Sequence, residues 1–127
     1  MNTTIIYALR YGHVIKNSKI PQLLSWFISI RAITLYPFII FKDEPDEVTV
    51  NHERIHIAQQ KELFILPFYI LYVWFWLVNI VRHRDSTKEA YYNLPFEREA
   101  YANDQDLTYL IFRKKQAWKK YFNTRDD

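Results

Sequence analysis

Apolar positions change spacing several times along this chain, and each change marks an element. Thr3 to Lys16 is rich in Ile, Tyr and Val around Gly12, which predicts a short β-hairpin. Between Ile20 and Ile30, the residues Leu23, Leu24, Trp26, Phe27 and Ile30 follow Pro21 at helical spacing, so a short helix is expected there. Ala32 to Phe41 is β-branched and aromatic. Pro37 confines it to an edge strand or a bent one, because proline cannot donate to a ladder. The acidic run Lys42-Asp43-Glu44-Pro45-Asp46-Glu47 reads as a loop.

A helix follows, with Thr49 or Asn51 as its expected cap, and it carries His52, Glu53, His56, Gln59 and Gln60. Leu63 to Val81 then holds no charged residue. Pro67 removes the bond to the carbonyl of Leu63, which predicts a kink or break near residues 64 to 67. Nineteen helical residues reach about 28 Å, close to the thickness of a hydrocarbon core, and Arg82-His83-Arg84 would form a basic cytoplasmic flank. Membrane contact is therefore expected, either as a span or at the surface. The scattered Tyr and Trp residues and polar Asn79 fit a buried core helix at about 63–82 as well. Asn93 is the expected cap of a later helix, with Pro95 in its first turn and Glu97 and Glu99 early in its length. From Leu107 to Phe122 aromatic and basic residues interleave. That pattern suits either a basic helix on an anionic surface or docking on the protein's own core.

These elements predict one α+β domain over residues 1–127, mainly α, with a small N-terminal sheet or hairpin. Composition narrows the chemistry. Cysteine is absent, which excludes disulfides and thiolate cages and agrees with a reducing compartment. A single glycine among 127 residues argues against phosphate loops and dinucleotide fingerprints. The start, Met1-Asn2-Thr3-Thr4, lacks a positive leader, and Arg10, Tyr11 and Gly12 interrupt the apolar run, so no secretory signal is expected. The expected location is the cytoplasmic (inner) membrane, with the cytoplasm as the alternative. Net charge is +3, and Arg113, Lys114, Lys115, Lys119, Lys120 and Arg125 crowd the last fifteen positions. No nucleic-acid motif accompanies them, so nucleic acid is not an expected partner.

Residues 52 to 56 read His-Glu-Arg-Ile-His. Two histidines four apart on a helix aim two imidazoles at one point, and the adjacent glutamate can reach a water held there. Chance alone yields this pattern in roughly one shuffled chain in 150, so a third ligand is required. His56 lies about 40° from His52 around the helix and Gln59 about 20° to the other side, which places Gln59 to support the site. A carboxylate from the helix after Asn93 would complete a site of two histidines and one glutamate.

With those residues the chain resembles the gluzincin superfamily of zinc metallopeptidases, in which a glutamate ligand on a later helix follows the His-Glu-x-x-His helix. In several of these families, including membrane-embedded prenyl-protein peptidases and small regulatory peptidases, that glutamate stands three residues before an alanine. Glu97-Arg98-Glu99-Ala100 is similar. The resemblance spans about Thr49 to Asp104 and is nearest to small bacterial proteins of this minimal plan. It implies a zincin-like fold, Zn²⁺ held by His52, His56 and Glu97 with Glu99 as alternate ligand, Glu53 as general base, and a peptide or protein substrate. The membrane peptidases usually carry Asp directly after the alanine. Tyr101 stands there instead, so Asp104 or Gln59 would have to support the histidines. Donors considered for the oxyanion are His83, Tyr91, Tyr92 and Tyr101. Two alternatives share the motif: a catalytically silent zincin-like module that binds a partner or membrane, and a small membrane protein in which the motif is incidental.

Overall fold

The computed structural model describes residues 3–24, 32–82 and 86–122. In chain order its elements are α1 (Thr3–Tyr11), β1 (His13–Ile15), α2 (Lys19–Leu24), β2 (Ala32–Leu35), β3 (Phe38–Phe41), α3 (Glu47–Glu62), α4 (Leu66–Arg82), α5 (Thr87–Tyr92), α6 (Pro95–Asn103) and α7 (Tyr109–Phe112), closed by a 3-10 turn at Ala117–Tyr121. The protein is thus α+β and mainly α, as the sequence pattern predicts.

The N-terminal hairpin does not form. Thr3 to Tyr11 is helical, because Gly12 acts as a helix stop instead of a hairpin turn: its φ is +88° and its N–H bonds the carbonyl of Ala8 at 2.8 Å. A Cβ at position 12 would stand 2.9 Å from Ile39 Cδ1 and 3.0 Å from Ile57 Cγ1, so glycine also permits close packing. Only His13–Ile15 remain extended, and they pair in parallel with β3 far along the chain.

Ala32 to Phe41 is likewise two strands and not one bent edge. Tyr36-Pro37, joined by a cis bond, occupies the turn, and β2 folds back antiparallel on β3 with Thr34 opposite Ile39. The order β1-β3-β2 makes β3 central, which explains why Ile39, Ile40 and Phe41 are all buried. The predicted Ile20–Ile30 helix is seen as α2; its expected apolar residues Trp26, Phe27 and Ile30 lie outside the described residues.

Asp46 caps α3, accepting from the N–H of Thr49 at 2.7 Å, so the cap lies inside the acidic loop and not at Thr49 or Asn51. Asn51 is buried and serves as a tie between helices. Its Nδ2 donates to the carbonyls of Asp104 (2.8 Å) and Asp106 (3.0 Å), which fastens the end of α6 to α3. The expected break before Pro67 is present. Phe64 and Ile65 take left-handed φ values of 57° and 68°, α4 departs at 112° to α3, and Pro67 falls in the first turn of α4, where its missing N–H costs nothing.

Two apolar clusters flank α3. One joins Ile39, Phe41 and Ile57 under the sheet; the other joins Phe68 of α4, Phe96 of α6 and Trp118 of the last turn. Each of these buried aromatics contributes about 1.5–3 kcal/mol. Trp118 therefore docks the basic C-terminal segment on the protein's own core, one of the two readings of its sequence. Asn93 does not cap α6. It ends α5, its Nδ2 donating to the carbonyl of Glu89 at 2.7 Å, and Leu94 starts α6 from an extended backbone with no side-chain cap.

Within α4 only one face packs. Phe68 is buried, whereas Leu66, Ile70, Val73, Trp74, Leu77 and Val81 are exposed, so α4 is not a buried central helix. Among the described residues no single helix is long and apolar enough to cross a membrane.

Candidate metal centre

The capped, unbroken first turns of α3 set His52 and His56 one turn apart, and α6 packs across them to deliver Glu97. All three side chains are buried, and one ligand atom from each falls within 4.8 Å of the others. His52 Nε2 stands 3.3 Å from Glu97 Oε2, and His56 Nε2 stands 3.1 Å from Glu97 Oε1. Ligand atoms around a tetrahedral metal ion are separated by roughly 3.4 Å, and each histidine meets one Glu97 oxygen at about that distance. Two imidazoles and one carboxylate are a donor set of the kind zinc accepts. The cluster can hold a metal ion.

Both histidines are oriented from behind. Asp104 Oδ2 lies 3.1 Å from His52 Nδ1, and Gln59 Oε1 lies 2.8 Å from His56 Nδ1, so each Nδ1–H has an acceptor and each Nε2 faces Glu97. Asp104 and Gln59 thus occupy the supporting positions that Tyr101 leaves vacant. Tyr101 instead lays its ring edge-on against His52, 4.4 Å between centroids. Glu99 is turned away from the ligand cluster. It accepts from Gln59 Nε2 (2.9 Å), Tyr109 Oη (2.7 Å) and Arg113 Nε (2.5 Å), which fixes Gln59 and leaves Glu99 unable to serve as the alternate ligand without breaking an ion pair.

Charge within the cluster follows from its burial. Desolvation pushes the His56 imidazole down, but the charge and hydrogen bond of Glu97, with help from Glu53 and Gln59, overcome it and raise the imidazole to about 10. Burial likewise opposes ionisation of Glu97, and the charge of His56 with bonds from both histidines holds its carboxyl well below the ordinary range. In the metal-free protein the raised His56 stabilises the fold fully below its ordinary value of 6.5, and that contribution is lost as pH rises through about 10. The lowered Glu97 contributes above its ordinary 4.5 and loses that contribution only in strong acid. The pair is thus fully effective between pH 4.5 and 6.5. One consequence is measurable: at pH 7 zinc loading should release about one proton, that of His56, because a ligating imidazole must be neutral. Titration calorimetry in buffers of different ionisation enthalpy checks this, and an enthalpy independent of buffer would contradict it.

A cavity of about 270 Å³ opens beside the cluster, lined by Ala32, Thr34, Glu53, His56, Tyr91 and Glu97 among others. Glu53 turns into it, its Oε2 accepting from Thr34 Oγ1 of β2 at 2.5 Å. Tyr91, one of the four donors considered, forms part of the wall. Burial and the nearby Glu97 charge push its hydroxyl well above the usual range, so it stays protonated. Tyr92 is exposed and edge-on to Tyr101, and His83 lies outside the described residues.

The sequence pattern gave no role to Tyr72, Tyr69 or Gln60. Tyr72 Oη donates to Glu97 Oε1 at 3.1 Å, and burial raises its hydroxyl so that it remains a donor. Gln60 Nε2 and Tyr69 Oη both donate to the carbonyl of Thr34, at 2.9 and 2.8 Å, holding β2 against the helices. The available signal was the hydroxyl pair Tyr69 and Tyr72, three apart on the buried side of an otherwise apolar helix.

Comparison of the chain with protein-family models, with curated proteins and with solved structures gives no match.

Proposed function

We propose that the protein is a zinc-dependent metallopeptidase of gluzincin type, with a zincin-like domain, acting on peptide or protein substrates. The observation that carries this reading is the convergence of His52, His56 and Glu97 beside a cavity into which Glu53 projects. Zinc bound to these residues would supply a Lewis acid that acidifies water and polarises a carbonyl. Glu53, positioned through Oε2 by the Thr34 hydroxyl, takes a proton from water as its oxygen attacks the peptide carbon. The same carboxyl then gives that proton to the departing amine nitrogen, the C–N bond breaks, and a carboxylic acid and an amine result. The protonated Tyr91 hydroxyl in the cavity wall donates to the developing oxyanion. Tyr72 holds Glu97, and Asp104 and Gln59 hold the imidazoles.

Membrane association belongs to the same proposal. It is supported by the exposed stripe Leu66, Ile70, Val73, Trp74, Leu77 and Val81 on α4, which exceeds the scattered apolar exposure of an ordinary surface.

The test is metal analysis together with cleavage of a quenched-fluorescence peptide library. One zinc per chain is expected, with hydrolysis abolished by a chelator and restored by zinc. Purified protein without stoichiometric zinc would count heavily against the proposal. Stoichiometric zinc with no cleavage would instead favour the silent, zincin-like binding module.

A further inference from the structure

On another face of α3, about 100° around the helix from Glu53, a second hollow of about 390 Å³ is lined by Arg10, Arg54, Lys61, Arg113 and Lys115, with Glu62 as the one carboxylate among the described residues that line it. That carboxylate is already occupied: Glu62 accepts from Arg113 Nη1 and from the backbone N–H of Gln116. Arg113 is spent as well, bridging Glu62 and Glu99. The other four cations carry no ion pair among the described residues. Arg54 Nε is buried with no hydrogen-bond partner, although its guanidinium carbon lies 5.5 Å from the Tyr7 ring. Among the described residues Lys61 Nζ reaches only the Arg10 carbonyl, at 3.4 Å.

Four like charges gathered around one hollow, none with an ion-pair partner among the described residues, repel one another. A small multivalent oxyanion relieves that repulsion, and phosphate fits better than a carboxylate. It offers three or more acceptor oxygens to guanidinium forks, and its second charge balances cations that a monoanion would leave uncompensated. Ile111, on the wall of the same hollow, is 71% exposed and Phe112 beside it 77% exposed, so an apolar tail next to the anion would also find contact.

We propose that this hollow is a binding site for a phosphate group, carried either by an anionic lipid or by a small soluble phosphate. The site is separate from the peptidase reading and stands or falls without it. Two probes distinguish the sources: inorganic phosphate, followed by calorimetry, and vesicles of phosphatidylglycerol in phosphatidylcholine, followed by co-sedimentation against phosphatidylcholine alone. Wild type is expected to bind at least one probe. Both Arg54→Gln and the exposed pair Lys61→Gln/Lys115→Gln should weaken that binding about tenfold or more. The control pair Lys88→Gln/Lys114→Gln removes two exposed charges outside the hollow and should change binding less than about twofold. Circular dichroism and thermal unfolding of every variant establish that the fold is kept, and the lysine pair carries the test if Arg54→Gln does not fold. Vesicle binding alone, weakened in the hollow variants, identifies a lipid headgroup, and phosphate binding identifies a soluble ligand; vesicle binding that those variants leave unchanged belongs to α4 and overturns the proposal. No binding of either probe, or equal losses in the control pair, overturns the proposal.

Discussion

Glu53→Gln is expected to lower peptide hydrolysis by about 10²–10⁴-fold while zinc content and fold stay as in wild type. The substitution keeps the shape of the side chain, and the amide oxygen can still accept from Thr34 Oγ1, now 2.5 Å from Oε2. What is lost is the ability to take a proton. The attacking water would then have to shed its proton without an adjacent base, and about 10³-fold corresponds to roughly 4 kcal/mol of barrier. Because Glu53 is not among the three clustered ligands, the loss should fall on kcat, with KM little changed. A variant as active as wild type would remove Glu53 from the chemistry. It would leave the metal cluster as a binding or structural feature.

Local periodicity made half of the centre readable before any fold was known. His52 and His56 meet because residues four apart share a helix face, and Gln59 falls on the same stripe; both relations need only α3 to be helical. Glu97 could be reached only through the pattern it shares with Ala100, since nothing local says that α6 crosses α3. Thr34 had no comparable signal, and the spacing of Tyr69 and Tyr72 puts Tyr72 on a helix face without saying what it meets. The hydroxyls of Thr34 and Tyr72 come to Glu53 and Glu97 through the turn at Tyr36-Pro37 and the sharp bend before α4, long-range events that spacing does not encode.

The differences in fold share that cause. β-branched residues near the N-terminus suggest strands, but the strand partner is β3, twenty-five positions along in the register of His13 with Phe38, so a hairpin partner within Thr3–Lys16 is the wrong one. The cap of α3 is displaced for a different reason. Asp46 sits inside a run whose acidity reads as loop, and Asn51, a good cap by type, is buried as a tie between α3 and the end of α6.

Glu97→Ala should weaken zinc binding by at least about 100-fold, whereas Glu99→Gln should keep one zinc per chain. The two glutamates are two residues apart on α6 and both buried, yet they face different partners. Glu97 meets His52 Nε2 and His56 Nε2 at 3.3 and 3.1 Å, so its removal takes away one ligand and leaves two neutral nitrogens, a poor site for a dication. Glu99 meets Arg113, Tyr109 and Gln59. Neutralising it leaves the Arg113 guanidinium with only Glu62, so the expected penalty is stability, about 3–5 kcal/mol at most for a broken buried pair, and not metal. Metal-free Glu97→Ala should also lose the alkaline step of wild type. With its main charged partner gone, the burial of His56 favours the neutral ring, and the stability that wild type sheds as pH rises toward 10 is absent from the start. Zinc titrations of both variants, with denaturant melts of the metal-free proteins at about pH 6 and about pH 9, read these outcomes together. Equal zinc loss in the two variants would reject Glu97 as the particular third ligand and return Glu99 to consideration.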